Sequence, residues 1–253
     1  MKKPAEKNKV ILISNDDGIR SEGIKKIASA LRRVGVVYVV APDRERSAAG
    51  HSLTLHRPLR VEEIAARMYA VDGTPTDCIS IAVNKLLPVR PDLIVSGVNK
   101  GGNLGEDITY SGTVSAAMEG TLMNIPSIAV SLVAPGDFDF AAAAAFSAKI
   151  ARIILKKGLP KDTFLNVNIP GVKVIKGVRI TKQGKRHFSD TVVEKLDPRG
   201  KKYYWIGGDM LRWEGGTDTD FYAISKGQIS ITPLHLDLTN YSSMQEMRRW
   251  RLK

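Results

Sequence analysis

Two adjacent aspartates, Asp16 and Asp17, follow a continuous apolar run near the beginning of the chain. Neighbouring carboxylates repel each other, and a divalent cation bound between them removes that cost. Hard oxygen ligands suit Mg²⁺ or Mn²⁺, and Ser47 and Asn99, which follow two later apolar runs, carry neutral oxygens of this kind. These four residues are therefore candidate metal ligands. Taken alone, the acidic pair is more typical of a turn beside a helix cap.

A glycine-rich stretch over residues 97–112 provides a second candidate site. It ends in Ser111-Gly112-Thr113, a sequence that predicts the start of a helix. The free amides of a helix N-terminus, next to hydroxyls and a small residue, form a natural phosphate site, and Asn103 is placed to reach the same group. The stretch matches neither the dinucleotide-binding nor the Walker pattern. The alternative interpretation is a flexible loop that ends in an ordinary serine N-cap.

A hard-metal site beside a phosphate site indicates metal-assisted phosphoryl transfer to water. One other phosphatase chemistry remains as an alternative. A phosphatase with an aspartyl nucleophile usually has Asp-x-Asp, which puts both carboxylates on one face of a strand end, and the adjacent pair here argues against it. A serine hydrolase lacks its G-x-S-x-G signature in this chain. His51 follows the loop that bears Ser47, and a structural role is favoured for it over a substrate contact.

The elements that must position these residues are short apolar strands alternating with helices. Strands are predicted at Val10–Ser14, Val36–Ala41, Leu93–Ser96, Ser127–Leu132 and Asn166–Ile169, and helices over residues 22–34, 113–123 and 139–156. A further helix is predicted to start at residues 73–77, with Cys78 in its buried face. Alternating buried strands and helices predict a three-layer α/β/α core with a mostly parallel sheet. In such a sheet the candidate residues converge at the carboxyl ends of the strands.

The texture of the chain changes after Pro170. Residues 176–232 contain the β-like stretches GVRIT, KKYYWIG, FYAIS and QISIT, which predict a smaller β-rich extension built as an arm of hairpins. Residues 241–253 read as an amphipathic helix that docks on another surface. The predicted organisation is an N-terminal extension over residues 1–9 that is expected to be disordered, a catalytic core over 10–170, and a β-rich extension with a C-terminal oligomerisation segment over 171–253.

Composition excludes several classes of protein. The chain has 253 residues, 43% hydrophobic and 25% charged, which excludes wholesale disorder. A single cysteine excludes a disulfide framework and a cysteine-based zinc site. No apolar run approaches the length of a membrane span, and VILIS, which follows the basic start, is too short for a signal-peptide core, so a cytoplasmic protein without a membrane partner is expected. The formal net charge of +12, concentrated in residues 1–60 and 173–202, keeps a nucleic-acid-binding protein without phosphatase activity as the alternative function.

Five long motifs of the chain are VILISNDDGIRSEGI, VVAPDRERSAAGHSLTL, VDGTPTDC, PDLIVSGVNKGGNLGEDITYSGTVSAAMEG and SITPLHLDLT. These motifs strongly resemble the SurE (stationary-phase survival) nucleotidases. The resemblance runs from about residue 9 to residue 240, and its most specific part is residues 92–120. One departure is Lys100-Gly101-Gly102, where many relatives have a small residue followed by Gly-Pro. A lysine at this place is expected to affect substrate preference.

The resemblance implies a Rossmann-like fold and an activity. It implies metal-dependent removal of phosphate from nucleoside 5′- and 3′-monophosphates, and in some members from short-chain polyphosphate. One divalent ion per subunit, Mg²⁺ or Mn²⁺, is implied on Asp16, Asp17, Ser47 and Asn99, with Asp16 and Asp17 as the catalytic carboxylates. Phosphate contacts are implied at Asn103, Ser111, Gly112 and Thr113. The arm and the C-terminal segment are implied to build a homodimer, or a tetramer, and nucleic acid is not a required partner.

Overall fold

A nine-stranded sheet forms the centre of the protein in the computed structural model, which describes residues 9–136, 139–188, 192–206 and 210–250. Its strands are β1 (Val10–Ser14), β2 (Val36–Pro42), β3 (Val61–Ala65), β4 (Met68–Val71), β5 (Leu93–Lys100), β6 (Ser127–Val133), β7 (Thr163–Pro170), β8 (Val178–Ile180) and β13 (Ile229–His235). Their order is β3-β4-β2-β1-β5-β6-β7-β13-β8. The six strands from β4 to β7 run parallel, as predicted, and β3 and β13 pair antiparallel to them.

Helices cover both faces of the sheet, which confirms the three-layer core. They are α1 (Glu22–Leu31), α2 (Pro75–Ile81), α3 (Gly112–Leu122) and α4 (Ala141–Lys157). Successive residues of β1 point to opposite faces: Ile11 packs with α1 and α4, whereas Leu12 packs with α2 and α3. Burying both faces explains why the parallel strands are continuous apolar runs. Cys78 is fully buried in the apolar cluster that contains Leu12, as predicted.

The start of α2 shows how local sequence sets a helix end. The Thr74 hydroxyl accepts the Asp77 N–H, and the Asp77 carboxylate accepts the Thr74 N–H in return. Pro75, which has no N–H to leave unsatisfied, occupies the first turn. The strand pair β3–β4 that precedes this turn was not predicted from the sequence. Its strands extend the sheet beyond β2.

The region after Pro170 differs from the sequence-based prediction in two ways. GVRIT and QISIT form β8 and β13, which join the core sheet instead of the extension. The prediction of a strand at FYAIS is wrong: the segment forms helix α5 (Asp220–Ser225). Thr219 caps that helix by accepting the Tyr222 N–H at its hydroxyl, and this local hydrogen bond outweighs the β propensity of the aromatic residues.

Two antiparallel ribbons make up the arm, the name used here for β9 (Lys185–Phe188) with β12 (Met210–Glu214) and β10 (Val192–Leu196) with β11 (Lys202–Ile206). The hairpin β10–β11 confirms the strand predicted at KKYYWIG. The C-terminal segment forms α6 (Tyr241–Met247). The predicted disordered extension lies outside the described residues up to residue 8, as does the end of the predicted tail helix, residues 251–253. Within the described ranges no helix is long and apolar enough to cross a membrane.

Candidate functional site

The candidate residues meet in one pocket at the carboxyl edge of the parallel sheet. β1 pairs with β2 on one side and β5 on the other, so the loops that follow these three strands lie together. The pocket has a volume of about 340 Å³. It is lined by Asp16, Asp17, Glu45, Ser47, Ala48, Asn99, Lys100, Asn103, Asp107, Tyr110 and Ser111. Six of the eight site residues predicted from the sequence therefore line it, and Gly112 and Thr113 lie directly behind Asp16.

Asp16 is held from behind by the first turn of α3. The Thr113 hydroxyl donates a hydrogen bond to Asp16 Oδ1. A Cβ on Gly112 would lie 2.9 Å from Asp16 Cβ and 3.0 Å from Asp16 Oδ2, so the close approach of helix and carboxylate requires glycine. Burial raises the pKa of Asp16, and the hydrogen bond from Thr113 opposes that rise. Thr113 itself is fully buried and does not line the pocket, so its predicted phosphate contact stays a prediction.

Asp17 is more open than Asp16. Its Oδ2 accepts the Lys100 N–H at 3.1 Å, which ties the end of β1 to the end of β5. Burial, together with the neighbouring charge of Asp16, raises the pKa of Asp17 to about 6. Two carboxylates that each resist ionisation in this way form a site that a cation stabilises.

Ser47 and Asn99 bring neutral oxygens to the two carboxylates. The Ser47 hydroxyl donates to Glu45 Oε1 at 2.6 Å, and its loop is anchored where the Arg46 N–H donates to the Asp16 carbonyl at 2.7 Å. The Asn99 amide donates from Nδ2 to the Gly101 carbonyl at 2.9 Å, which fixes its orientation. Asn99 lines the pocket, and its Oδ1 is of the acceptor type that a cation requires.

The donor set fits a hard divalent metal ion. It consists of two carboxylates, one hydroxyl and one amide oxygen, which are the ligand types that Mg²⁺ and Mn²⁺ prefer. In the described residues no group of three or more His, Cys, Asp or Glu side chains could hold a metal. A cation in this pocket therefore depends on the neutral oxygens of Ser47 and Asn99 as well as on the two charges.

Glu45 is a pocket residue that the sequence analysis missed. It is exposed, lines the pocket and accepts the Ser47 hydroxyl, and its charge adds to the raised pKa of Asp17. Its signal in the sequence was a third carboxylate shortly after the end of β2. That signal was weak because charged residues are common in surface loops.

Asn103 is fixed by side chains from two neighbouring strands. Asn166 and Asn168, two residues apart on one face of β7, donate from Nδ2 to the Asn103 carbonyl at 2.8 and 3.0 Å. Asn168 Oδ1 accepts the Asn103 N–H at 2.9 Å, and the Asn103 amide donates to Ser131 Oγ at 2.8 Å. The second N–H of that amide remains for a ligand. Sequence analysis did not single out the two β7 asparagines, because 63 and 65 residues separate them from Asn103.

Ser111 connects the pocket to the N-terminus of α3. Its hydroxyl oxygen accepts the Val114 N–H at 3.1 Å as the N-cap of the helix. The hydroxyl can still donate its own proton to a ligand, and the positive end of the helix dipole lies beside it. This half of the pocket suits an anion, in contrast to the half that holds Asp16 and Asp17.

His51 does not line the pocket. Its Nε2 lies 2.9 Å from Glu119 Oε2, and Glu119 belongs to α3 and is buried. The contact anchors the loop that follows Ser47 against α3. His51 also lines a separate cavity of about 610 Å³, so its structural role stays a prediction.

Comparisons with known proteins agree with these features. The family model described as "Survival protein SurE" matches residues 11–190. A protein of Geobacter sulfurreducens named 5′-nucleotidase SurE is 58% identical over 245 residues, covering 96% of this chain and 94% of its own length. The protein of the same name from Geobacter metallireducens is 57% identical over 243 residues, covering 95% and 96%.

A solved structure is similar over nearly the whole fold. The crystal structure of SurE protein from Aquifex aeolicus is 46% identical in sequence, with a TM-score of 0.86. The match covers 94% of this chain and 98% of the Aquifex chain. The similarity therefore extends over the sheet, the helices and most of the region after Pro170.

Proposed function

The chain belongs to the SurE family, and we propose that it hydrolyses nucleoside 5′- and 3′-monophosphates to nucleoside and phosphate with one bound Mg²⁺ or Mn²⁺. Relatives named 5′-nucleotidase, more than half identical over nearly the full chain, support the nucleotidase activity. The observation that carries the metal dependence is the pocket itself, where the buried Asp16 and the half-buried Asp17 lie beside the N-terminus of α3. We extend the proposal to short-chain polyphosphate, which presents the same terminal phosphoryl group.

Asp16, Asp17, Ser47 and Asn99 would hold the ion. When bound, the ion would supply Lewis-acid chemistry, polarising the phosphoryl group and lowering the pKa of a coordinated water. Thr113 keeps Asp16 in place through its hydroxyl, and the Lys100 N–H does the same for Asp17. These contacts set the positions of both carboxylates before a ligand arrives, which lowers the cost of ordering them.

The other half of the pocket would bind the phosphoryl oxygens. The Ser111 hydroxyl and the remaining N–H of the Asn103 amide are the donors, and the first turn of α3 adds its dipole. As negative charge shifts toward these oxygens in the transition state, fixed donors stabilise it without reorganising. Ser111 and Asn103 are both nearly buried, so water competes weakly for them.

We further propose that the protein is a homo-oligomer, a dimer or a tetramer, assembled through the arm and the C-terminal segment. Every described residue of β10 and β11 is exposed, including Tyr204, Trp205 and Ile206. In α6 no residue is buried, although Met244 and Met247 are apolar. Exposed apolar patches of this kind are typical of protein–protein interfaces. The cytoplasmic location stays a prediction.

Phosphate release tests the proposed function. The purified protein would be assayed on a panel of 5′- and 3′-nucleoside monophosphates and on tripolyphosphate, with Mn²⁺, with Mg²⁺ and with EDTA. We expect metal-dependent release from the monophosphates that EDTA abolishes and excess metal restores. Release that persists in EDTA would contradict the metal role, and no release with any metal would contradict the phosphatase assignment and favour the nucleic-acid-binding alternative.

A further inference from the structure

Asp220 is a fully buried carboxylate with no part in the proposed chemistry. As the first residue of α5, it accepts three backbone N–H groups. Its Oδ2 accepts the Gly105 N–H at 2.8 Å, and its Oδ1 accepts those of Gly184 and Phe221, each at 2.9 Å. Burial raises its pKa, and these hydrogen bonds oppose the rise. A buried carboxylate is costly unless such bonds compensate it, so this one has a specific structural task.

One of its partners begins the turn that leads into the phosphate half of the pocket. Gly105 is the first residue of a 3-10 turn, Gly105–Thr109, which is followed by Tyr110 and the N-cap Ser111. Asp107 and Tyr110 line the pocket as well. The position of this turn therefore sets where the Ser111 hydroxyl points.

Another partner belongs to the base of the arm. A Cβ on Gly105 would lie 2.9 Å from the Gly184 carbonyl, so the two backbones are in direct contact. Asp220 bridges them from a third segment, 115 residues from Gly105 and 36 residues from Gly184. The Gln183 amide adds a hydrogen bond to the Gly105 carbonyl at 3.1 Å.

Arg186, at the beginning of β9, continues the same connection. Its N–H donates to Glu106 Oε2 at 2.8 Å, and its guanidinium Nη1 lies 2.8 Å from both oxygens of Asp107. Asp107 would otherwise direct an uncompensated negative charge into a pocket that must accept a phosphate. The arm thus supplies the cation that neutralises it.

We infer that Asp220, together with Arg186, is a positioning residue for phosphate binding, because the two side chains lock the Gly105–Ser111 turn to the base of the arm. The inference rests on the proposed function, since it assigns these residues to the phosphate half of that same site. It assigns them no role at the metal half, whose ligands follow β1 and β2 or lie at the end of β5. The base of the arm is then part of the catalytic architecture.

The test is Asp220→Asn in the full-length protein, with Asp218→Asn as the matched control. Asparagine has the same shape but replaces one acceptor oxygen with a donor, which would face the N–H of Gly105 or Gly184. Asp218→Asn makes the same chemical change two residues away, where the aspartate side chain is exposed and pairs with Lys182 at 2.9 Å. Two quantities are measured: the inhibition constant of inorganic phosphate, and the Mn²⁺ concentration that half-saturates activity.

Asp220→Asn is expected to raise the phosphate inhibition constant and the nucleotide KM by about tenfold or more, since a displacement of about 1 Å at a site can cost up to about 100-fold. The Mn²⁺ requirement should stay within about twofold of wild type. Asp218→Asn should match wild type in both. Unchanged phosphate inhibition in Asp220→Asn would overturn the inference, and so would a parallel loss of phosphate and metal affinity, which indicates general disruption.

A second variant covers the case in which Asp220→Asn does not fold. Arg186→Gln keeps the Asp220 hydrogen bonds but removes the cation beside Asp107. A raised phosphate inhibition constant with an unchanged Mn²⁺ requirement supports the inference. Unchanged phosphate inhibition, or a parallel loss of phosphate and metal affinity, overturns it. If wild type shows no turnover, the proposed function fails. In that case, thermal unfolding of the same variants with and without inorganic phosphate tests the positioning role separately. Weaker stabilisation of Asp220→Asn than of Asp218→Asn by phosphate supports the role, and equal stabilisation overturns it.

Discussion

The pocket at the sheet edge and the hairpin β10–β11 use their residues in opposite ways. In the pocket, Asp16 and Asn103 are nearly buried, and partners from distant parts of the same chain hold them. In the hairpin, Trp205 is 63% and Ile206 is 90% exposed, and both faces of the ribbon are open. A two-stranded ribbon with bare apolar side chains is marginally stable in water. Contacts within the single chain therefore hold the pocket residues in place, whereas for the hairpin we propose that a second surface covers it.

The largest effect should come from a charge in the pocket. Asp17→Asn removes one carboxylate of the metal site and keeps the volume of the side chain. We expect kcat/KM on a nucleoside monophosphate to fall by at least about 100-fold, because loss of an outer partner of a metal ligand alone costs about 10–100-fold. Steady-state kinetics at saturating Mn²⁺ measures this.

Asp162→Asn is the matched control for that prediction. Asp162 is exposed on a loop before β7 and has a φ of +54°, a conformation that asparagine adopts readily. The control should retain wild-type turnover. If Asp17→Asn turned over substrate at nearly the rate of the control, Asp17 would not be a metal ligand, and the proposed chemistry of the pocket would be contradicted.

A smaller loss should follow from the hydroxyl behind Asp16. Thr113→Val removes the hydrogen bond to Asp16 Oδ1 and preserves the shape of the side chain. We expect about a 10- to 100-fold loss in kcat/KM, in line with about 1.5–3 kcal/mol for a hydrogen bond to a charged group. Thr113→Ser should keep most of the activity.

The same experiment distinguishes an effect on the metal half of the pocket from an effect on the phosphate half. If Thr113 acts through Asp16, a higher Mn²⁺ concentration should partly restore Thr113→Val, and inhibition by inorganic phosphate should stay near that of wild type. If Thr113 contacts phosphate directly, as the family resemblance implies, the phosphate inhibition constant should rise instead and excess Mn²⁺ should have no effect.

Most of the pocket could be predicted from the sequence because its residues follow strand ends. Parallel strands bring their carboxyl ends to one edge, so Asp16, Ser47 and Asn99 meet although they lie far apart in the chain. Asn168 and Asp220 could not be found this way. Their partners in the glycine-rich loop are 65 and 115 residues away, and no local pattern records such a contact.

The fold was predictable to the same extent. Buried strands such as β1 read as continuous apolar runs and were predicted correctly, whereas FYAIS was predicted as a strand and forms α5. β8 and β13 were assigned to the extension because they are adjacent to it in sequence, although β13 pairs with β7. Local composition indicates that a segment forms a strand but does not indicate which strand it pairs with.

The raised pKa of Asp17 should also make the free energy of unfolding of the metal-free protein depend on pH. The pKa of Asp17 is about 6 in the folded state, above its ordinary value of 3.8. Between these values the folded state binds more protons than the unfolded state, so the free energy of unfolding falls as the pH rises from about 4 to about 6. Asp17→Asn should lose this part of the slope.

Denaturant unfolding in EDTA at a series of pH values measures this slope. Relative to Asp17→Asn, wild type should lose stability up to about pH 6 or 7, and the difference should then level off. Addition of Mn²⁺ at pH 7 should stabilise wild type and leave Asp17→Asn nearly unchanged. Parallel curves for the two proteins without metal would mean that Asp17 ionises freely, and the argument for a cation between the carboxylates would lose its basis.

The smallest effect on turnover should come from the tip of the arm. Trp205→Ser combined with Ile206→Ser removes apolar surface from both faces of the hairpin, and neither residue lines the pocket. We expect a lower oligomeric mass by sedimentation, with kcat/KM changed by less than about threefold. Glu194→Gln, which breaks an exposed ion pair with Lys202 in the same hairpin, is the control and should keep the wild-type mass.

This last variant also distinguishes the tip of the arm from its base. Asp220 and Arg186 contact the turn that leads to Ser111, so changes there should alter phosphate binding, whereas the tip lies beyond those contacts. A double variant with unchanged mass would contradict the hairpin as an interface. One that dissociates and also loses phosphate affinity would mean that assembly holds the base of the arm in place, and the pocket would then depend on the partner subunit as well as on its own chain.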